Sequence, residues 1–190
     1  MFSTLGSALP VYNQKTCSPV ENVGRYTSIE RQIVIPVLQC PYSCKCSAGL
    51  VDCAGQRLSA LPNPEFLPRG THTLLLGRNS LASADMREVC GKHGGLTKIS
   101  LEHNHINQIR GIDFMGCSEV EELDLSYNNI AIITQNFLTG LPKLKKLKIL
   151  GNYIICFDKK SLQQFAYIPV IEIDLRFLEC NCQSKWVLEW

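Results

Sequence analysis

One spacing constrains this chain more than anything else in it: from residue 71 to residue 178, apolar side chains recur in the same pattern about every two dozen residues. Five segments start at 71, 96, 120, 144 and 168, so successive starts lie 25, 24, 24 and 24 residues apart. Position 4 of each segment holds Leu74, Ile99, Leu123, Leu147 or Ile171, and position 6 holds Leu76, Leu101, Leu125, Ile149 or Ile173. Position 1 is apolar in Leu96, Val120, Leu144 and Ile168, and position 11 in Leu81, Ile106, Ile130, Ile154 and Leu178. Position 9 is asparagine in four segments, as Asn79, Asn104, Asn128 and Asn152; only Thr71 and Arg176 depart from the scheme. Positions 4 and 6 are alternate residues, so on a short strand both point to one face and the residues between them to the other. A single such turn cannot bury its apolar face, so successive turns must stack with their strands paired in parallel. Where the backbone bends away past the strand, a buried asparagine amide can satisfy the polar groups of that bend, which makes the four asparagines structural.

The pattern resembles the leucine-rich repeat, L-x-x-L-x-L-x-x-N-x-L. The resemblance implies an α/β repeat solenoid, a right-handed horseshoe with a parallel β-sheet on its concave side. Ile109 and Phe114, then Ile133, Phe137 and Leu141, then Phe157, Leu162 and Phe165 read as core on the convex side. An open solenoid needs capped ends. Cys40, Cys44, Cys46 and Cys53, followed by Leu58, Leu61 and Pro62, resemble the N-terminal cysteine cap of extracellular leucine-rich-repeat proteins such as the Slit, Nogo-receptor and leucine-rich glioma-inactivated types. In that family the first cysteine pairs with the third and the second with the fourth, which implies Cys40 with Cys46 and Cys44 with Cys53. A four-thiolate zinc site competes, but the cysteines lack two-residue pair spacing and lie directly before repeats. Cys180, Cys182, Trp186 and Trp190 resemble the opening of a C-terminal cap whose later cysteines are absent, so the natural protein is expected to continue.

The expected organisation is an N-terminal extension over 1–39, the cysteine-rich cap over 40–69, five repeats over 70–178 and the start of a second cap over 179–190. Cys156 and Cys180 both fall at position 13 of adjacent turns and can bridge if their side chains face each other. Cys90 and Cys117 lie in neighbouring repeats and can either pair or stay as buried thiols. Cys17 has no visible partner.

Ten cysteines suit an oxidising compartment, so the chain is expected outside the cell or on its surface. Met1 to Leu9 shows neither the basic nor the long apolar region of a secretory signal, and no Asn-x-Ser/Thr sequon is present. A net charge of +2 is too small to draw a polyanion by bulk attraction, which argues against nucleic acid. No apolar run reaches the roughly 18 residues that span a bilayer. The longest, Ile33 to Leu38, is broken by Pro36, so no direct membrane insertion is expected. No nucleophile elbow, phosphate loop, dinucleotide fingerprint or zinc-protease helix occurs, so neither catalysis nor a cofactor is expected.

Positions 2, 3, 5, 7, 8 and 10 are expected to face solvent on the concave sheet. They supply the candidate ligand-binding residues Arg78, Lys98, His103, Glu122, Asp124, Tyr127, Lys146, Lys148 and Tyr153. Glu121, Glu122 and Asp124 form an acidic stripe, with Lys145, Lys146 and Lys148 beside it about 4.8 Å away. The bland account of these charges is cross-strand ion pairs worth well under about 1 kcal/mol each. Arg78, His103, His105, Tyr127, Tyr153 and Phe177 gather at the mouth of the face, and arginine and tyrosine are the side chains that dominate interface hot spots. His103 and His105 flank Asn104 without a third ligand nearby in sequence, so no metal is expected. The function these features suggest is recognition of a protein ligand, in a secreted protein or the ectodomain of a receptor. The alternative is a matrix adhesion protein that self-associates.

Overall fold

In the structure, a computed structural model, every repeat turns its position 4 and 6 side chains onto one side of a continuous sheet. Residues 40–133, 136–157 and 163–177 are described, and all fall in a single unit, Leu38–Trp190. In chain order the strands are β1 (Lys45–Ser47), β2 (Leu50–Asp52), β3 (Thr73–Leu75), β4 (Lys98–Ser100), β5 (Glu122–Asp124), β6 (Ile132–Ile133), β7 (Lys146–Ile149), β8 (Cys156–Phe157) and β9 (Val170–Ile173). The main sheet runs β1-β2-β3-β4-β5-β7-β9, and β6 pairs with β8 in a second sheet. Among the described strands of this sheet only the β1–β2 hairpin is antiparallel; from β2 onward each is parallel to the last. Each strand meets its neighbour one repeat later at the same position, so Leu74, Ile99, Leu123, Leu147 and Ile171 lie in one row. Leu123 and Leu125 are both fully buried, on the same side, as are their counterparts in the two preceding turns.

Past each strand the chain bends, and the bend is where the asparagines act. In Asn128, the side-chain Nδ2 donates to the carbonyls of Leu125 and Ser126 in its own turn, at 3.0 and 3.3 Å, and to Leu101 of the preceding turn at 2.9 Å. Its Oδ1 accepts from the Ile106 amide at 3.0 Å, again one turn back. Asn79, Asn104 and Asn152 repeat this set, each closing on the turn before it. All four are buried. An apolar residue at position 9 would leave three carbonyls and an amide of a water-free bend with fewer partners, and a buried unpaired group costs about 1–3 kcal/mol.

The cysteine cap belongs to the same coil. β2 pairs in parallel with β3 through Val51 and Leu74, and the Leu58 amide donates to Asn79 Oδ1 as position 11 does in the next three turns, through Leu81, Ile106 and Ile130. Two disulfides, Cys40–Cys46 and Cys44–Cys53, hold the hairpin to this turn. A third, Cys90–Cys117, joins the return segments of the first two repeats, across 27 residues of sequence. Cys17, Cys180 and Cys182 lie outside the described residues, and so does any bridge between Cys156 and Cys180.

The side away from the sheet is less helical than an α/β solenoid suggests. Among the described residues it holds the short helix α1 (Arg87–Lys92), a 3-10 turn at Pro64–Phe66 and helical residues 163–165, together with turns and the β6–β8 pair. The turns pack too closely for bulk: a Cβ on Gly140 would stand 2.1 Å from the Phe114 carbonyl oxygen. Ile109, Phe114, Ile133, Phe137, Leu141 and Phe165 fill the space between, with Phe137 and Phe165 edge to face at 6.0 Å. Leu162 and the Phe157 side chain fall outside what is described. Arg110 ties two turns together here, donating to the buried Asp113 at 2.8 Å and reaching Asp85 at 3.2 Å. The hydrogen bond from the Arg87 side chain, the largest influence, helps lower the Asp85 carboxyl to about 2.

Two substitutions test this framework. Asn128→Ala should lower stability by about 3 kcal/mol or more, read as a shift in the urea midpoint, because two turns lose hydrogen bonds at once. Replacing Cys90 and Cys117 together by alanine should remove about 3–4 kcal/mol, the loop-closure value for a bridge of this span. A wild-type unfolding curve for the double variant would show that the bridge contributes nothing.

Candidate ligand-binding face

The outer face of the sheet is built from two rows. One carries position 3, namely Leu50, Thr73, Lys98, Glu122, Lys146 and Val170; the other carries position 5, namely Asp52, Leu75, Ser100, Asp124, Lys148 and Glu172. All except Val170, which is exposed, are half-buried. Apart from Asp52, whose Oδ1 accepts from the Ala54 amide at 2.9 Å, their charges are paired. Lys98 pairs with Glu122 at 2.9 Å, Lys148 with Asp124 at 3.8 Å, and Lys146 reaches Glu172 at 3.5 Å. Glu122 therefore pairs with the strand before it and leaves its neighbour Lys146 to the strand after. Beside the sheet, Lys145 meets Glu121 and Lys143 meets Glu119, each at 2.7 Å. Exposed pairs of this kind stabilise little, but they leave the sheet close to neutral and without a free charge at its centre.

The free chemistry lies along the bend at position 8. Gly55, Arg78, His103, Tyr127 and Gly151 all have left-handed backbone there, with φ of 69, 57, 51, 56 and 63°. This conformation lets the residue donate forward while the next side chain, the asparagine, turns inward: the amides of Arg78, His103 and Tyr127 donate to Glu102, Ser126 and Leu150. For a residue with a Cβ the conformation costs roughly 1–2 kcal/mol. Glycine takes it at the two ends of this row, whereas the three middle turns carry large side chains and bear the cost.

Those side chains stand in solvent, and two of them touch. The His103 and Tyr127 rings stack with centroids 4.3 Å apart and planes 9° from parallel. The Tyr127 ring continues over Gly151, where a Cβ would come within 2.5 Å of it, so glycine is required there for space as well as for φ. Tyr127 and Tyr153 remain 52% and 54% exposed. Tyr153 leans on Phe177 at 5.5 Å. Among the described residues the Arg78 side chain has no hydrogen-bond or ion-pair partner.

Three features escape the repeat pattern. Arg176, at the asparagine position of the fifth repeat, is exposed and held by Asp174, with Nη2 to Oδ2 at 2.6 Å. That hydrogen bond raises the guanidinium pKa and lowers the carboxylate's. Arg176 also lies 5.8 Å over the Phe177 ring. Arg57 occupies position 10 of the cap turn, exposed and at φ 59°. The signal for it was available, since Val51, Cys53 and Leu58 fall at positions 4, 6 and 11 of a turn starting at residue 48. Position 7, in contrast, is not uniformly outward: Gly77 and Ser126 are buried, because the bend draws the chain back over the core. Among the described residues no group of three or more His, Cys, Asp or Glu is placed to hold a metal, and no helix is long and apolar enough to cross a membrane.

Comparison with known proteins agrees with this geometry. Residues 94–154 match the family model for leucine rich repeat. The chain is 30% identical over 141 residues to Leucine-rich repeats and immunoglobulin-like domains protein 1 of Homo sapiens, an alignment covering 63% of this chain and 13% of the relative. It is 33% identical over 118 residues to Leucine-rich repeat-containing G-protein coupled receptor 5 of Rattus norvegicus, covering 61% and 13%. The chain thus spans about an eighth of the length of each. Among solved structures, the TLR13–ssRNA13 complex superposes with a TM-score of 0.60 at 22% identity, over 70% of this chain and 19% of that one, a likeness of fold.

The left-handed row gives a direct test. Arg78→Gly should leave the melting temperature unchanged or raise it, by up to about 1 kcal/mol in stability, whereas Arg78→Val should lower it by at least as much. Equal effects of the two would mean that φ at this position carries no strain.

Proposed function

We propose, from the premise that the chain is a leucine-rich-repeat protein, that it recognises a protein ligand outside the cell, through the concave outer face of its main sheet and the adjoining bend, and that it is not an enzyme. The observation that carries this reading is the exposed row of Arg78, His103, Tyr127 and Tyr153, with the His103 and Tyr127 rings stacked, beside a sheet whose central lysines are paired with its own carboxylates. Aromatic rings and guanidinium groups held in one geometry bring large contact area at little ordering cost, which is the composition of interface hot spots. Lys98, Glu122, Asp124, Lys146 and Lys148 then form the surrounding polar rim, contributing more to specificity than to affinity.

The three disulfides support an extracellular or cell-surface site of action, since such bridges persist in oxidising compartments. In this reading residues 40–69 cap five repeats over 70–178, residues 1–39 precede the cap as an extension, and residues 179–190 open a second cap. The chain serves as the ligand-binding part of a secreted or membrane-anchored receptor, with no cofactor.

Alanine replacement of Arg78, His103, Tyr127 and Tyr153 together should abolish ligand capture on a cell-surface interaction screen while the far-ultraviolet circular dichroism stays native. Undiminished capture by that variant would remove the assignment. Concentration-dependent self-association of the wild-type chain, with no foreign partner captured, would instead favour an adhesion protein that assembles with itself.

A further inference from the structure

The exposed bend is graded along the coil. At the capped end it presents guanidinium groups: Arg57 in the cap turn and Arg78 in the first repeat, both at positive φ and exposed, and neither with an ion-pair or hydrogen-bond partner for its side chain among the described residues. In the middle it presents the His103–Tyr127 stack. Toward the other end it becomes apolar and aromatic, with Tyr153, Leu175 and Phe177 at 54, 41 and 47% exposure. Arg176 adds no free charge there, because Asp174 already holds it. The lysines of β4 and β7 are likewise matched by carboxylates, and Lys45 of β1, the one sheet lysine among the described residues without such a partner, lies at the capped end.

We infer that this strip, resting on the recognition reading above, selects an extended protein segment with carboxylates at one end and aromatic or large aliphatic side chains at the other. The segment lies across the strands, with its acidic end at the cysteine cap. Charge complementarity fixes the direction: the unpaired cations sit at one end and the exposed rings at the other. Geometry fixes the spacing. Adjacent turns are about 4.8 Å apart, so Arg78 lies roughly 10 Å from the Tyr127 row and roughly 19 Å from the Phe177 row. An extended chain advances about 3.3 Å per residue, so about three to six residues separate the acidic and aromatic positions of the ligand.

A single-stranded nucleic acid also offers negative charge and stacking surfaces, but the strip fits it poorly. Such strands need a basic groove along their whole backbone. Here two free guanidinium groups adjoin a sheet bearing Glu122, Asp124 and Glu172, with a net charge of only +2 over the chain.

The test pans a phage library of random linear peptides against the full chain, then measures the recovered peptides by fluorescence anisotropy against four variants and against unlabelled oligouridine. Enriched peptides should carry Asp or Glu at one end and Phe, Tyr, Trp or Leu at the other, at the spacing given. Arg57→Ala with Arg78→Gly should weaken binding about tenfold or more and flatten its dependence on salt. Tyr127→Gly with Tyr153→Ala should weaken it comparably and leave the salt dependence in place. Lys148→Ala and Lys98→Ala, which remove already paired cations of the flanking rim, should each weaken binding by less than either strip variant. Melting curves of each variant separate lost binding from lost folding, and Arg78→Gly keeps the backbone that the bend requires.

No enrichment, enrichment without acidic residues, or displacement by oligouridine at equal concentration overturns the inference. Greater loss in the two lysine variants than in the strip variants also overturns it, while leaving recognition by the sheet standing.

Discussion

The rest of the structure depends on one constraint, the need to satisfy the backbone at a bend that water cannot reach. A strand of three or four residues ends, and the chain must turn away while its carbonyls remain buried. A side-chain amide carries two N–H donors and a carbonyl acceptor at a single position, and here the two donors serve three carbonyls. Because each asparagine bonds both to its own turn and to the turn before it, the same four side chains that finish the bends also lock the register of the coil. Leucine packing supplies most of the stabilisation, about 1.5–3 kcal/mol for each fully buried side chain, but packing alone would tolerate a slipped turn. The amides do not.

The bend also decides what faces out. To send position 9 inward the backbone enters the left-handed region one residue earlier, and the side chain at that residue is thrown into solvent. Structural necessity at one position therefore creates an exposed column at the next, free of packing duty and held on a rigid backbone. The backbone beneath such a side chain is already fixed, so the ordering cost of using it in a contact is confined to the side chain itself.

How much of this could be read from the chain varies with the physics involved. The apolar rows and asparagines were legible because a period near 24 residues cannot be met by chance at five positions, and burial follows from alternation. The pairing of the cap cysteines was not legible from spacing, which argued against zinc but left the partners open; the family resemblance supplied them. The choice of Lys98 over Lys146 as the partner of Glu122 was hidden, since a lysine on either neighbouring strand has the reach and local side-chain geometry decides. The left-handed column was hidden for another reason: arginine, histidine and tyrosine carry no preference for positive φ, and only the glycines at 55 and 151 hint at it. Arg57 was missed because the cap turn was read for its cysteines and not aligned with the repeats. Whether the face is the ligand site rests on composition and exposure, which periodicity does not reach.

The antiparallel hairpin at the capped end has a consequence for how such coils coexist at high concentration. A stack of identical parallel turns is a template for its own continuation, since any turn can dock on the one before. β1 reverses direction against β2, and two disulfides hold it there. Among the described residues the strand at that end runs the wrong way for the parallel ladder, with Lys45 and Ser47 exposed along a run of only three residues. The cap thus acts as a chain terminator against head-to-tail fibre growth, keeping a modular, extendable architecture discrete.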